Sequence, residues 1–157
     1  MTRVLFVCTG NICRSPTAEG VARHFIETGG LSGLVEVDSA GTHGYHAGEA
    51  PDPRTQKAAQ QRGYDLSGLR ARKLEARDFL EFDLLLAMDR GHLEAMRRQC
   101  PPVYQPRLRL FLEFDGLRRF GDEVPDPYYG GPRGFDLVLD ICEHGVRGLL
   151  DAVATRV

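Results

Sequence analysis

The sequence predicts an α/β fold: a single domain in which helices cover both faces of a four-stranded, parallel, doubly wound sheet. Three observations predict it. The chain has 157 residues, a length that suits one domain. Short apolar runs alternate along it with longer segments whose apolar residues recur with helical period. Such alternation indicates right-handed βαβ units, whose parallel strands are buried on both faces.

The first strand and helix have clear boundaries. The apolar run at residues 3–7 predicts a strand, and residues 9–14 predict a short loop. Ser15 followed by Pro16 predicts the N-cap and first residue of a helix, and the glycine pair at 29–30 predicts its end. The apolar face of this helix comprises Ala18, Val21, Ala22, Phe25 and Ile26.

Three further strands and three further helices are expected. Their apolar patterns predict strands over residues 35–39, 83–88 and 107–111. They predict helices over residues 54–62, 89–99 and 138–153. Asp52 and Pro53 precede the second helix as a cap followed by a proline of the first turn.

The expected binding site lies beyond the carboxyl ends of the strands, where doubly wound sheets bind their ligands. The loop after the first strand is at that edge. A second loop, residues 115–134, follows the fourth strand and is rich in glycine and proline. Long loops in compact domains are usually functional or disordered, and both of these loops are expected to lie at the ligand-binding edge of the sheet.

Composition excludes several classes of protein. The chain has 20 basic and 22 acidic residues, which argues against a basic face for nucleic acid. No apolar run approaches the ~20 residues of a membrane span, and the N-terminal run at residues 4–8 is shorter than the core of a signal peptide. A cytoplasmic protein is expected, in which four cysteines are catalytic, redox-active or buried rather than bridged.

The loop after the first strand, CTGNICRS at residues 8–15, has the features of an anion site. A loop that winds into a helix start directs its N–H groups inward, and the helix dipole adds positive charge. Gly10 and Asn11 suit the left-handed backbone angles that a tight cradle needs. The segment therefore predicts a nest for a dianion such as phosphate.

Three side chains of this loop suit phosphoryl transfer. Arg14 offers a planar fork for two phosphoryl oxygens. The positive field favours the thiolate of Cys8, an in-line nucleophile beneath a bound phosphoryl group, and Ser15 is placed to donate a hydrogen bond to it. Cys8 and Cys13 lack the spacing of zinc ligands, and no Gly-Lys-Ser/Thr of a Walker loop follows. Neither a metal nor a cofactor is expected.

With these residues noted, the chain resembles the low-molecular-weight protein-tyrosine phosphatase family. Residues 4–20, VLFVCTGNICRSPTAEG, are similar to its N-terminal signature, and residues 126–129, DPYY, to a second motif. Weaker matches follow in order at residues 38–42, 52–54, 71–72 and 87–89. The resemblance implies one domain over residues 1–157 with the phosphatase I-like form of the doubly wound fold.

The resemblance also implies roles for individual residues. Cys8 would form a phosphocysteine intermediate, Arg14 would stabilise the transition state, and Asp126 would act as general acid and then base. The phosphate-binding loop would comprise Thr9, Gly10, Asn11, Ile12, Cys13 and Ser15, with Ser39 supporting Asn11. The substrate rim would comprise Tyr45, Tyr128 and Tyr129.

The chain departs from the family at Leu69, where many members have a histidine that holds the loop-shaping asparagine. Near that histidine in the family lies the aspartate matching Asp89, which is interpreted here as a helix cap only. The five histidines are left without a role: His24, His43, His46, His92 and His144.

The expected partner is a tyrosine-phosphorylated protein or a small aryl phosphate, without nucleic acid or membrane, bound by a monomer or weak dimer. Protein-arginine phosphatases are an alternative, although they commonly have Thr where this chain has Ile12. Arsenate reductases need two neighbouring cysteines, which Cys100 and Cys142 do not supply. A non-catalytic phosphate-binding module is a further alternative. We also hypothesise that Cys13 resolves an oxidised Cys8 as a disulfide.

Overall fold

A computed structural model, which describes residues 1–127 and 131–154, contains one sheet of four parallel strands. The strands are β1 (Thr2–Cys8), β2 (Val35–Gly41), β3 (Leu84–Ala87) and β4 (Leu108–Leu110), in the spatial order β2-β1-β3-β4. In the register of the sheet, Val4 of β1 lies opposite Val37 of β2 and Leu84 of β3. The predicted parallel sheet is therefore confirmed.

Helices cover both faces of the sheet. They are α1 (Arg14–Thr28), α2 (Pro53–Gln60), α3 (Asp78–Glu81), α4 (Arg90–Gln99) and α5 (Pro132–Ala154). Helix α1 contacts β2 and α5, and α2 packs on α5, whereas α4 contacts β3 and β4. Two short 3₁₀ turns, Pro102–Arg107 and Phe111–Phe114, flank β4.

Strand β1 is at the centre of the sheet because its side chains alternate between two apolar cores. Val4 and Phe6 are fully buried in the core beneath α1 and α5. Leu5 and Val7 are fully buried in the core beneath α3 and α4. Burial on both faces explains the unbroken apolar run, and it fixes Cys8 at the carboxyl edge of the central strands.

The start of α1 differs from the prediction. The helix begins at Arg14, Cys13 is its N-cap, and no side chain caps it. Ser15 is therefore not the cap, because its hydroxyl is engaged with Cys8 and Asn11 instead. The predicted end is confirmed: α1 stops at Thr28 and Gly29 is its C-cap.

Helix α3 and the two 3₁₀ turns were not predicted, because segments this short carry no readable period. The last residues of the predicted 115–134 loop belong to α5. The part of that loop up to residue 127 is anchored at Val124, which is buried and whose N–H donates to the carbonyl of Met88 (2.8 Å). Within residues 1–127 and 131–154, no helix has the length and apolar character needed to cross a bilayer.

Candidate active site

The loop of residues 8–15 leaves β1 at Cys8 and enters α1 at Arg14. Asn11 has a φ of 59°, the left-handed conformation predicted for it. Gly10 is not among the residues with positive φ, so that prediction is wrong for Gly10. A Cβ at position 10 would lie 3.0 Å from Cδ2 of His46, so a larger residue there would require the His46 side chain to shift.

The end of β2 holds the start of this loop in place. The Thr42 N–H donates to the Cys8 carbonyl (2.8 Å), and the His43 N–H donates to the Thr9 carbonyl (3.0 Å). Gly41 permits this approach, because a Cβ there would lie 2.6 Å from the Thr9 oxygen. The backbone of residues 41–43 therefore extends the sheet pairing up to the rim of the loop.

The thiol of Cys8 is at one end of a series of hydrogen bonds between buried side chains. Asn11 Nδ2 donates to Ser15 Oγ (2.8 Å) and to Ser39 Oγ (2.9 Å). Since Ser15 accepts from Asn11, its own hydrogen is available to donate to Cys8 Sγ, 2.9 Å away. The structure thus brings Cys8, Asn11, Ser15 and Ser39 together as the sequence predicted.

The buried carboxylate of Glu19 is at the other end of this series of hydrogen bonds, and it was not predicted from the sequence. Ser39 Oγ donates to Glu19 Oε1 (2.6 Å), and Arg23 Nε donates to Glu19 Oε2 (2.7 Å). Burial raises the pKa of Glu19, and the bonds from Ser39 and Arg23 partly offset that rise. The spacing of Glu19 and Arg23, four residues apart on a helix, was the available signal.

The position of Leu69 has a structural consequence. Leu69 packs against the apolar core, so it does not hold Asn11 through a polar contact. The Asn11 amide oxygen instead accepts from the Arg72 backbone N–H (3.0 Å). A main-chain donor therefore fixes the amide that shapes the loop.

Arg14 is buried and bound on two sides. Its NH1 donates to Asp89 Oδ2 (2.9 Å) and to the Val124 carbonyl (3.0 Å), and its NH2 is 3.9 Å from Asp126 Oδ2. Asp89 also caps α4, accepting from the His92 N–H. Although burial favours the neutral acid, the hydrogen bonds from His92 and Arg14 hold the pKa of Asp89 below its usual value. The interpretation of Asp89 as a cap only is therefore wrong.

His92, to which no role was assigned from the sequence, lies at the same site. Its Nε2 is 2.7 Å from Thr9 Oγ1 and 3.4 Å from Arg14 NH2, and its Nδ1 is 3.1 Å from Asp89 Oδ1. Burial and the charge of Arg14 lower the pKa of His92 to about 4. No local pattern relates His92 to Thr9, so the sequence offered no signal for this contact.

A cavity of about 290 Å³ opens above the loop, and it is lined by Cys8, Thr9, Gly10, Ile12, Cys13, Arg14, Tyr45, His46 and Asp126. Asp126 is exposed at its edge, with 42% of its side chain accessible. Tyr45 is exposed and stacks on His43, with ring centroids 5.1 Å apart. Tyr128 and Tyr129 lie outside the described residues.

Cys13 lines the same cavity and is otherwise buried. Burial raises the pKa of its thiol to about 11, so the group stays protonated near neutral pH. Cys100 and Cys142 are buried elsewhere, and all four cysteines are free. Pairing of Cys13 with Cys8 stays a prediction, and the raised pKa of Cys13 disfavours it near neutral pH because the thiolate is the attacking species.

The geometry combines a thiol, a guanidinium and a carboxyl group around one anion-sized cavity. Backbone N–H groups at a helix start and the Arg14 fork suit a phosphoryl group. The thiol at the base suits nucleophilic attack on it, and a carboxyl at the mouth suits proton transfer to a leaving group. Among residues 1–127 and 131–154, no three His, Cys, Asp or Glu side chains are grouped to hold a metal ion.

Comparisons with known proteins agree with this chemistry. The sequence model of the family "Low molecular weight phosphotyrosine protein phosphatase" matches residues 3–157. A low molecular weight protein-tyrosine-phosphatase of Streptomyces coelicolor is 48% identical, over 99% of this chain and 95% of the relative. The human low molecular weight phosphotyrosine protein phosphatase is 37% identical, over 94% of this chain and 93% of the relative.

Solved structures are similar throughout. A protein tyrosine phosphatase from Entamoeba histolytica superposes with a TM-score of 0.94 at 37% identity, covering 99% of both chains. YfkJ from Bacillus subtilis superposes with a TM-score of 0.93 at 34% identity, covering 99% of this chain and 96% of the other.

Proposed function

Because the chain belongs to the low molecular weight phosphotyrosine protein phosphatase family, and is thus a phosphoric monoester hydrolase, we propose that the cavity above residues 8–15 is its active site. Residues 1–157 form one catalytic domain in this proposal. The observation that carries it is the convergence of Cys8, Arg14 and Asp126 on a single cavity, although Asp126 comes from the opposite end of the sequence.

In the first step, the loop N–H groups and Arg14 hold the three non-bridging phosphoryl oxygens. The Cys8 thiolate attacks phosphorus, and the bond from phosphorus to the phenolic oxygen breaks. Asp126 gives its proton to that oxygen, so the product leaves as a neutral phenol. The phosphoryl group is now on Cys8 Sγ, and Arg14 has stabilised the charge of the transition state.

In the second step, the Asp126 carboxylate takes a proton from a water molecule that attacks the phosphocysteine. The sulfur–phosphorus bond breaks, inorganic phosphate forms, and the thiolate returns to Cys8. Ser15 donates its hydrogen bond to the departing sulfur. Asn11 orients Ser15, and Ser39 holds Asn11, so both are positioning residues in this mechanism.

The substrate we propose is a tyrosine-phosphorylated protein or a small aryl phosphate. Ile12 presents an apolar side chain to the cavity, which offers no hydrogen-bond partner to a guanidinium group. Tyr45 supplies an exposed aromatic wall, and we assign Tyr128 and Tyr129 to the same rim on the sequence motif. The near balance of basic and acidic residues favours a protein without a nucleic-acid partner. Four free cysteines suit a cytoplasmic protein, which we propose acts as a monomer or weak dimer.

Steady-state kinetics on a substrate panel test the proposal. The panel comprises p-nitrophenyl phosphate, phosphotyrosyl peptides, phosphoseryl peptides and phosphoarginine. We expect kcat/KM to be highest for the two aryl phosphates, and Arg14→Lys, which keeps the charge but loses the fork, to lower it for all of them. Preference for phosphoarginine would instead support the arginine phosphatase alternative, and phosphate binding without turnover would support the non-catalytic one.

A further inference from the structure

The hydroxyl of Thr9 belongs to two environments at once. Thr9 lines the cavity, and its Oγ1 lies 2.7 Å from Nε2 of the buried His92. The direction of that hydrogen bond decides whether Thr9 presents a lone pair or a hydrogen to an anion in the cavity. If Thr9 donates to His92, only hydroxyl lone pairs face an anion; if His92 donates to Thr9, the hydroxyl hydrogen is free to point into the cavity.

The neighbours of His92 settle the direction for the neutral imidazole. Nδ1 lies 3.1 Å from Asp89 Oδ1 but makes no hydrogen bond to it, so this contact does not place the ring proton. Arg14 NH2 can only donate and lies 3.4 Å from Nε2, so Nε2 carries the lone pair and the single ring proton is on Nδ1. With this tautomer, Thr9 is the donor, and its hydrogen is directed away from the cavity.

The charge around His92 is balanced by groups on several elements. Burial, Arg14 of α1 and His43 after β2 disfavour protonation of the ring, whereas Asp89 and Asp126 favour it. The sum keeps His92 neutral near pH 7. A dianion bound in the cavity adds negative charge on the Thr9 side and offsets the field of Arg14, so it shifts this balance toward the imidazolium.

We propose that His92 is a positioning residue that reverses the Thr9 hydrogen bond when a phosphoryl dianion binds. His92 takes one proton from solvent at Nε2 and donates it in a hydrogen bond to Thr9 Oγ1. The Thr9 hydroxyl then turns and donates its hydrogen to a phosphoryl oxygen. Between the midpoint of the free protein and that of the anion-bound protein, up to one proton is taken up for each anion bound, and no other bond forms or breaks. This inference rests on the proposed anion site.

Nitrogen-detected NMR of the histidine rings tests the proposal in Cys8→Ser protein, with and without sulfate. Sulfate stays a dianion over the pH range used, and the serine does not titrate, so proton uptake reports on the remaining groups. His92→Asn identifies the His92 signals. We expect sulfate to raise the titration midpoint of His92 by about one pH unit or more.

Two matched substitutions isolate the hydroxyl. Thr9→Ser keeps the hydroxyl and is expected to keep the sulfate-induced shift. Thr9→Val keeps the shape but removes the hydroxyl, and we expect it to reduce the shift and to weaken sulfate binding more at pH 5.5 than at pH 8. His46→Asn, which alters a half-buried histidine that also lines the cavity, is expected to leave the His92 shift intact.

The outcomes separate this inference from the proposed function. Sulfate binding that depends on Arg14 but leaves the His92 midpoint unchanged would overturn the inference and keep the anion site. Equal shifts in Thr9→Ser and Thr9→Val would also overturn it, since the hydroxyl would then be irrelevant. Failure of sulfate and of inorganic phosphate to bind in the cavity would contradict both.

Discussion

Two sets of polar side chains hold the loop of residues 8–15 from opposite sides, and they differ in kind. The thiol side consists of Asn11, Ser15, Ser39 and Glu19, a chain of amide and hydroxyl groups that ends on one buried carboxylate. The arginine side consists of Arg14, Asp89, His92 and Thr9, in which charged or titratable groups contact one another directly.

Through these two sets of contacts, one loop both orients the nucleophile and sets the charge of the cavity. The thiol side is directional: Asn11 donates to the hydroxyls of Ser15 and Ser39, which leaves the Ser15 hydrogen free to donate to Cys8 at 2.9 Å. The arginine side sets charge: Asp89 holds the Arg14 guanidinium in place, and the resulting field acts on whatever enters the cavity. Substitutions on the thiol side should therefore change kcat, through bond breaking at sulfur. Substitutions on the arginine side should change the affinity for anions.

The largest effect on turnover is expected from replacing the Cys8 sulfur, the nucleophile that both sets of side chains position. Cys8→Ser should lower kcat by roughly 10⁴-fold or more, since an unactivated hydroxyl replaces the thiolate. It should still bind inorganic phosphate, because the loop N–H groups and Arg14 remain. Calorimetric titration with phosphate beside a turnover assay checks this. Turnover near that of the parent protein would show that Cys8 is not the nucleophile.

Asp126→Asn belongs to neither side and should have the next largest effect. Without a proton donor, kcat should fall by roughly 10²- to 10³-fold for alkyl and phenyl phosphates, whose leaving alcohols and phenols have a high pKa. Substrates with acidic leaving groups, such as p-nitrophenyl phosphate, should lose less in the first step. A plot of rate against leaving-group pKa measures this, and a slope equal to that of the parent protein would contradict the assignment of Asp126 as acid.

Asp89→Asn tests the arginine side. The amide can still cap α4 but loses the charge that holds Arg14. We expect KM for aryl phosphates and the inhibition constant of phosphate to rise by roughly tenfold, since a charged hydrogen bond contributes about 1.5–3 kcal/mol. Ki for phosphate across a pH series is the measurement. An unchanged Ki with a lowered kcat would contradict the division between the two sides.

Ser39→Ala is the matched test of the thiol side, and its expected effect is smaller. It leaves Arg14 untouched but removes the link between Asn11 and Glu19, so Ser15 is held less well. We expect kcat to fall by roughly fivefold to tenfold, the cost of about 1–1.4 kcal/mol, with little change in Ki for phosphate. An increase in Ki comparable to that of Asp89→Asn would show that the two sides are not separate.

Ile12→Thr changes the cavity between the two sides and should have the smallest effect on overall rate. A hydroxyl at this position offers a partner for a guanidinium, so the ratio of phosphoarginine to phosphotyrosine activity should rise by a few-fold, within the range of about one hydrogen bond. Paired kcat/KM values for the two substrates provide the check. If the ratio does not move, specificity resides at the aromatic rim.

The contrast between the two sides also explains what the sequence could predict. The thiol side begins within one contiguous segment, so Asn11 and Ser15 were readable from the loop motif itself. The sheet was equally readable, because β1 is buried on both faces and its apolar run is unbroken. The start of α1 was predicted two residues too late, since the serine that resembles a cap is engaged with Cys8.

The arginine side could not be predicted in the same way. Thr9 and His92 are 83 positions apart, and Arg14 and Asp89 are 75 apart. These contacts exist only because β1 and β3 are neighbours in the sheet, which places the N-terminus of α4 beside that of α1. A histidine in an amphipathic helix carries no local sign that its ring reaches a cavity. The prediction of Asp89 as a helix cap is correct, but nothing in the local sequence indicates its second contact, with Arg14.

Transfer of the phosphoryl group through Cys8 can be tested by trapping the phosphoryl group on that residue. Asp126→Asn protein is mixed with p-nitrophenyl phosphate, whose good leaving group needs no acid, and is denatured within milliseconds. Because hydrolysis of the intermediate lacks its base, phosphocysteine should accumulate. Mass spectrometry of the peptides should find the phosphoryl group on Cys8 in near-stoichiometric amount. A burst of p-nitrophenol with the phosphoryl group on another residue would contradict the account.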